Sequence, residues 1–220
     1  MRIAVLGTGE VGRALAGRSA EAGHDVVVGT RDPARTRERA DHAAWLAAHP
    51  AIRLVANPEA GRHAEVLVNA TNGAGSLAAL GDARVGDLGD LVVLDVANVL
   101  DFGAGDAYPG IGAAVDHSLA EQLQAAFPTA RVVKALNTMN CRVMVHPERV
   151  PGEHVAFVAG DDDAAKATVR GLLADFGWPG HRVLDLGGLT AARATEMYMP
   201  LWLTLFRTAG TADVNIAVCR

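Results

Sequence analysis

The chain has 220 residues, 50% of them hydrophobic, and a formal net charge of −5. That length suits one α/β domain with at most a small appendage, and the apolar share supplies a sizeable core. The negative balance argues against a nucleic-acid-binding or anionic-membrane surface, so any basic patch has to be local.

The first apolar run, Ile3-Ala4-Val5-Leu6, reads as a strand, and an amphipathic segment through about residue 22 reads as a helix. Between them lies Gly7-Thr8-Gly9-Glu10-Val11-Gly12. A bare G-x-G-x-x-G is weak, but between a strand and a helix it predicts a dinucleotide-binding turn. Gly7 allows the tight turn, Gly9 lets the backbone approach a pyrophosphate, and Gly12 lets helix and strand pack closely. The free N–H groups and positive dipole end of the helix then meet the phosphates.

The second strand, Asp25 to Gly29, ends where a ribose-binding acid would select NAD. Here the chain has Thr30-Arg31, with Arg35, Arg37 and Arg39 following. A hydroxyl and a guanidinium suit a 2′-phosphate, which favours NADP. Asp32 precedes Pro33 and reads as the cap of the next helix, with Arg37 and Arg39 as solvated helix positions.

Residues 51–56 read as a third strand, Asn57-Pro58-Glu59 as a helical turn, and 64–70 as a strand followed by the small loop 71–75. The run 91–97 has the near-continuous apolarity of a parallel strand covered on both faces. A Gly-rich connection, 100–116, leads to Ser118-Leu119-Ala120-Glu121, whose capping-box spacing starts a helix ending near Phe127. Strands follow at 131–136 and 155–159. Asp161-Asp162-Asp163 caps a helix ending near Gly177, 183–186 is a last strand, and Thr190 caps a final helix to about Thr208.

The pattern predicts a doubly wound parallel Rossmann sheet with a C-terminal hydrophobic helix. Residues 1–188 form the NADP-binding domain, and 189–220 form a helical segment packed on that domain or at a dimer interface. The last β-α-β elements either extend the sheet or form a subdomain. The final helix is apolar nearly all round, at Met197, Tyr198, Met199, Leu201, Trp202, Leu203, Leu205 and Phe206. A homodimer through it is one expectation and burial against its own domain the other.

Together these residues resemble the F420-dependent NADP oxidoreductases, small proteins that pass hydride between NADPH and a deazaflavin. The turn 7–12 and Val28-Gly29-Thr30-Arg31 look like that family's first two strand endings. Val132-Val133-Lys134-Ala135-Leu136-Asn137-Thr138, Ala159-Gly160-Asp161-Asp162-Asp163, Leu184-Asp185-Leu186-Gly187 and Met199-Pro200-Leu201-Trp202-Leu203 also match. The resemblance covers nearly the whole chain. It implies that Arg35 is a second basic contact to the 2′-phosphate, that coenzyme F420 is the co-substrate, and that the terminal region helps form a homodimer. Asn72, Asn98 and Asn140 stand where the family carries proline or apolar residues, so a more polar and roomier pocket is expected.

The expected cofactor contacts are Gly7, Thr8, Gly9, Glu10, Val11, Gly12, Thr30, Arg31, Arg35, Ala70, Thr71, Asn72 and Ala97. Asn98, Thr138 and Asn140 are candidates to hydrogen-bond an acceptor ring. The small residues Ala70, Thr71, Gly73 and Ala97 let two flat rings approach, and hydride transfer between such rings needs positioning rather than a dedicated acid. Reduction of a carbonyl or imine metabolite would need a proton donor, for which Tyr108, His117, Lys134 and Tyr198 are the candidates. A non-catalytic NADP(H)-binding sensor is the reading from another class. No metal site is expected, because there is no HExxH and no paired cysteine. Cys141 and Cys219 fit a reducing compartment. The chain opens directly on its first strand, and its most apolar run, 197–206, is too short for a bilayer and contains Pro200. A soluble, cytoplasmic protein acting on a small molecule, with no nucleic-acid or membrane partner, is expected.

Overall fold

A computed structural model describes residues 1–87, 89–101, 110–111 and 116–219. The first half of the sheet is β1 (Arg2–Leu6), β2 (Asp25–Thr30), β3 (Arg53–Ala56), β4 (Val66–Asn69) and β5 (Val92–Asp95), all parallel. Its helices are α1 (Glu10–Glu21), α2 (Pro33–Glu38), α3 (Ala40–Ala48), α4 (Asn57–His63) and α5 (Ser76–Asp82). A short antiparallel ribbon follows, β6 (Leu100–Asp101) with β7 (Gly110–Ile111). The rest of the 100–116 connection, with Tyr108, lies outside the described residues.

The second half holds α6 (Leu119–Ala126), β8 (Arg131–Ala135), α7 (Cys141–Val145), β9 (Ala156–Gly160), α8 (Asp163–Asp175) and β10 (Val183–Asp185). It closes with α9 (Ala192–Met197) and α10 (Met199–Ala209). The main sheet has eight strands in the order β10-β9-β8-β5-β4-β1-β2-β3. Six of them form the doubly wound parallel sheet the periodicity predicts, with the topological switch between β1 and β4. The last two extend that sheet rather than forming a subdomain. β9 runs antiparallel to β8, and β10 is parallel to β9.

Strand alternation builds two cores. Ile3 and Val5 of β1 join one cluster with Leu15, Val169 and Trp178, while Ala4 and Leu6 join the other with Leu80, Leu123 and Leu189. Burial of β1 on both faces is why its sequence is apolar without alternation.

The caps follow the sequence. Asp32 Oδ1 accepts from Arg35 N at 3.0 Å, with Pro33 in the first turn of α2. Ser118 and Glu121 make a complete capping box on α6, and Asp162 caps α8 through Ala165 N at 2.7 Å.

The single final helix is corrected. Thr190 sits inside a 3-10 turn, and the helix divides at Tyr198 into α9 and α10. Pro200 has no N–H for the Glu196 carbonyl, which accounts for the break. Beyond α10 the tail returns to the domain. Val155 N donates to Ile216 O at 3.0 Å, and Arg149 pairs with Asp213 at 2.7 Å. Among the described residues no helix is long and apolar enough to cross a membrane.

Candidate active site

The glycine turn has the geometry its sequence demands. Gly7 has φ +124°, and a Cβ there would lie 2.3 Å from the Ala70 carbonyl oxygen. A Cβ on Gly12 would lie 2.0 Å from the Gly7 carbonyl oxygen. At Gly9 it would meet nothing within 4 Å, so open space lies beside the N-terminus of α1. Glu10, Val11 and Gly12 have no intrahelical acceptors for their N–H groups, which suits a pyrophosphate.

On the β2 side, Thr30 Oγ1 lies 3.0 Å from Thr36 Oγ1, which itself donates to Asp32 O at 2.8 Å. With the Thr36 proton given to Asp32 O, the Thr30 hydroxyl is left to donate to Thr36. Arg31 and Arg35 are exposed. Arg37 and Arg39 are not simply solvated. Arg37 donates to Leu54 O at 2.9 Å, and Arg39 reaches back to Thr8 Oγ1 at 3.3 Å. Arg13 and Arg39 share Asp41 Oδ2, at 2.7 and 3.0 Å, and these hydrogen bonds hold the Asp41 carboxyl down to about 2. Behind them His42 is fully buried and kept below its ordinary value, by burial first and then by the two guanidiniums.

The carboxyl ends of β1, β4, β5 and β8 open on one cavity of about 310 Å³. Glu10, Val11, Ala70, Thr71, Asn72, Ala97, Asn98 and Asn140 line it, as do Met139, Cys141, Met144, Met199 and Trp202. The segments 7–12, 70–75, 97–101 and 137–141 therefore converge. Met199 and Trp202 give the C-terminal helix a role that sequence reasoning missed, as a wall of the cavity. Amphipathic periodicity marks a buried face but not what that face covers. Gly73 does not line the cavity. Its Cβ would fall 2.4 Å from the Asn98 carbonyl oxygen, so its smallness serves backbone packing.

The asparagines have local work. Asn72 Oδ1 accepts from Ala74 N at 3.2 Å, and Asn140 Oδ1 caps α7 through Arg142 N at 3.0 Å. Asn98 Nδ2 donates to Asn137 O at 2.8 Å, and Asn137 Nδ2 donates back to Asn98 Oδ1 at 2.9 Å. Asn137 was not among the expected residues. It lines the cavity, follows Leu136 at φ +63°, and its Oδ1 is buried without a partner. Thr138 is 1% exposed and is not brought to the cavity wall.

None of the described proton-donor candidates lines this cavity. Lys134 neither faces it nor emerges at an edge. Its ammonium is sealed between Asp95 at 2.9 Å, Glu196 at 2.8 Å and the Ala97 carbonyl, which use all three of its donors. Glu196 also accepts from Leu119 N at 2.9 Å, and Asp95 accepts from Asn69 Nδ2 at 2.8 Å. A buried network thus runs from beneath Thr71 to α9. His117 is exposed, and the Tyr198 hydroxyl is buried with burial raising its pKa. Cys141 is held at about 11, by burial first and then by Glu10, so its thiol stays protonated at neutral pH.

A glycine turn over an open phosphate space, a basic β2 end and a cavity across the strand ends define a Rossmann-type, dinucleotide-dependent oxidoreductase. Comparison with known proteins narrows the class. Residues 2–99 match the family described as NADP oxidoreductase, coenzyme F420-dependent. A candidate F420-dependent NADP reductase from Arthrobacter sp. FB24 is 47% identical in its crystal structure, covers 100% of both chains and superposes with a TM-score of 0.95. The F420-dependent NADP reductase of Methanothermobacter marburgensis is 28% identical over 98% of this chain and 99% of its own. Metalloreductase STEAP3 of Rattus norvegicus is 30% identical over 99% of this chain, which spans 40% of that protein's length. The chain belongs to the F420-dependent NADP oxidoreductase family.

Proposed function

We propose that this protein binds NADP(H) and transfers hydride between it and coenzyme F420 or a related flat acceptor. The observation that carries the reading is the cavity at the strand ends. Its walls are largely apolar, and among the described residues no histidine, lysine or tyrosine lines it. NADPH supplies the hydride when bound. The chain's own contribution is to hold the pyrophosphate on the α1 N-terminus, hold the 2′-phosphate near Arg31 and Arg35, and keep water from the ring-binding space. Ala70 and Ala97 leave room for ring stacking at the cavity wall, and Asn98 and Asn140 offer polar edges. Reduction of a carbonyl or imine would need a proton donor, and among the described residues none of His117, Lys134 and Tyr198 lines these walls.

The decisive assay follows NADPH oxidation at 340 nm with purified protein and F420, beside FMN and a blank without acceptor. Rapid turnover with F420 is expected. No oxidation with F420, flavins or a panel of small carbonyls and imines would overturn the reading. We further propose a homodimer through α10, supported by its exposed Leu201, Leu205 and Phe206. A location inside the cell is supported by the free thiols of Cys141 and Cys219.

A further inference from the structure

Arg39 lies outside every expected contact, yet the fold brings it back to the glycine turn. Arg31 and Arg39 flank α2, one just before its Asp32 cap and the other at its C-terminal cap, and Arg35 lies between them on the helix. Arg37, two positions past Arg35 on the helix, falls on the opposite side, where it donates to Leu54 O at 2.9 Å. α2 ends at Arg39, whose backbone turns extended at φ −72° and ψ 118°. Its guanidinium bonds Thr8 Oγ1 at 3.3 Å and Asp41 Oδ2 at 3.0 Å. Leu6 pairs with Gly29 across the sheet, so the glycine turn and the Thr30-Arg31 corner are adjacent. The segment 31–39 leaves that corner and returns to it.

The pairing at Arg39 is incomplete for a group of this charge. Arg39 and Arg13 converge on one oxygen of a single carboxylate, Asp41 Oδ2. The side chains of Arg39 and Asp41 are 48% and 50% exposed, so their pair is solvent-screened and readily exchanged. A phosphate monoester offers a guanidinium more charge and more acceptor oxygens than half a shared carboxylate.

We propose that Arg39 is a third arginine reading the cofactor's 2′-phosphate, and that Asp41 is the internal anion from which the phosphate draws it. The inference rests on the NADP(H) reading above. Asp41 occupies Arg39 and Arg13 when no phosphate is bound, and so competes with the cofactor.

Equilibrium binding of NADP⁺ and NAD⁺ by calorimetry, at one fixed low salt concentration, tests this without turnover. Arg39→Ala is expected to weaken NADP⁺ by about tenfold, the scale of one charge-assisted hydrogen bond, and to leave NAD⁺ unchanged. Asp41→Asn is expected to tighten NADP⁺ several-fold and to leave NAD⁺ unchanged. Arg37→Ala, on the opposite face, should alter neither. Equal losses for both cofactors in Arg39→Ala would make Arg39 a brace for Thr8 and overturn the proposal, as would no loss. Weakened NADP⁺ binding in Asp41→Asn would also overturn it. Failure of the wild type to prefer NADP⁺ over NAD⁺ would instead count against the cofactor reading itself, which Arg31→Ala probes separately.

Discussion

Arg31 shows how little of a ligand site lies in contacts already made. It is exposed at the end of β2, one residue past a hydroxyl whose proton is turned toward Thr36. Arg31→Ala is therefore expected to weaken NADPH far more than NADH, by about 2–3 kcal/mol if a charged hydrogen-bonded pair is lost. Fluorescence titration of both cofactors checks it, and equal losses would remove Arg31 from the phosphate. The three glycines separate in the same way. A side chain at Gly7 or Gly12 would strike backbone at 2.3 or 2.0 Å, whereas at Gly9 it would enter open space. Gly9→Val should therefore leave the thermal midpoint nearly unchanged while weakening both cofactors. Gly12→Ala should lower the midpoint itself, and a thermal melt beside a binding titration distinguishes the two.

At the scale of elements, buried charge ties the C-terminal helices to the sheet. Asp95, Lys134 and Glu196 are each at most 2% exposed, and one ammonium serves two carboxylates with help from the α6 N-terminus. Lys134→Met would strand both carboxylates and is expected to cost about 3–5 kcal/mol, measured by urea unfolding. A second tie has a pH signature. Glu121 is held down to about 2 from an ordinary 4.5, first by its hydrogen bond from Arg193 and then by Ser118. A depressed carboxyl stabilises the fold fully above its unfolded value and loses that contribution as pH falls through the folded value. The midpoint difference between wild type and Glu121→Gln should thus be constant above about pH 5 and shrink toward pH 2. A difference that grows on acidification would contradict the assignment.

At the scale of the whole molecule, α10 has one face inward and one outward. Met199 and Trp202 are buried at the cavity wall, while Leu201 is 53%, Leu205 41% and Phe206 37% exposed. Leu201→Asp should convert a dimer to a monomer in sedimentation, with the single-chain fold kept, since the residue packs on no core cluster. A wild type that sediments as a monomer at micromolar concentration would end the dimer proposal. If the dimer forms there, it stands directly behind two residues of the cavity, so dissociation should also weaken acceptor binding.

Local chemistry accounts for what could be read before folding. The glycine turn, the Asp32, Ser118 and Asp162 caps and the doubly buried parallel strands follow from short-range sterics and hydrogen bonding, and their residues name them. The antiparallel pairing of β9 with β8 and the roles of Arg39, Lys134, Asn137 and Trp202 could not be read the same way. Each depends on a partner brought in from elsewhere in the chain, such as Thr8 for Arg39, 31 positions away, and Glu196 for Lys134, 62 positions away. Burial and pairing are properties of the assembled chain. A lysine in a strand run is a sealed counter-ion or a pocket acid according to which carboxylates the topology brings beside it.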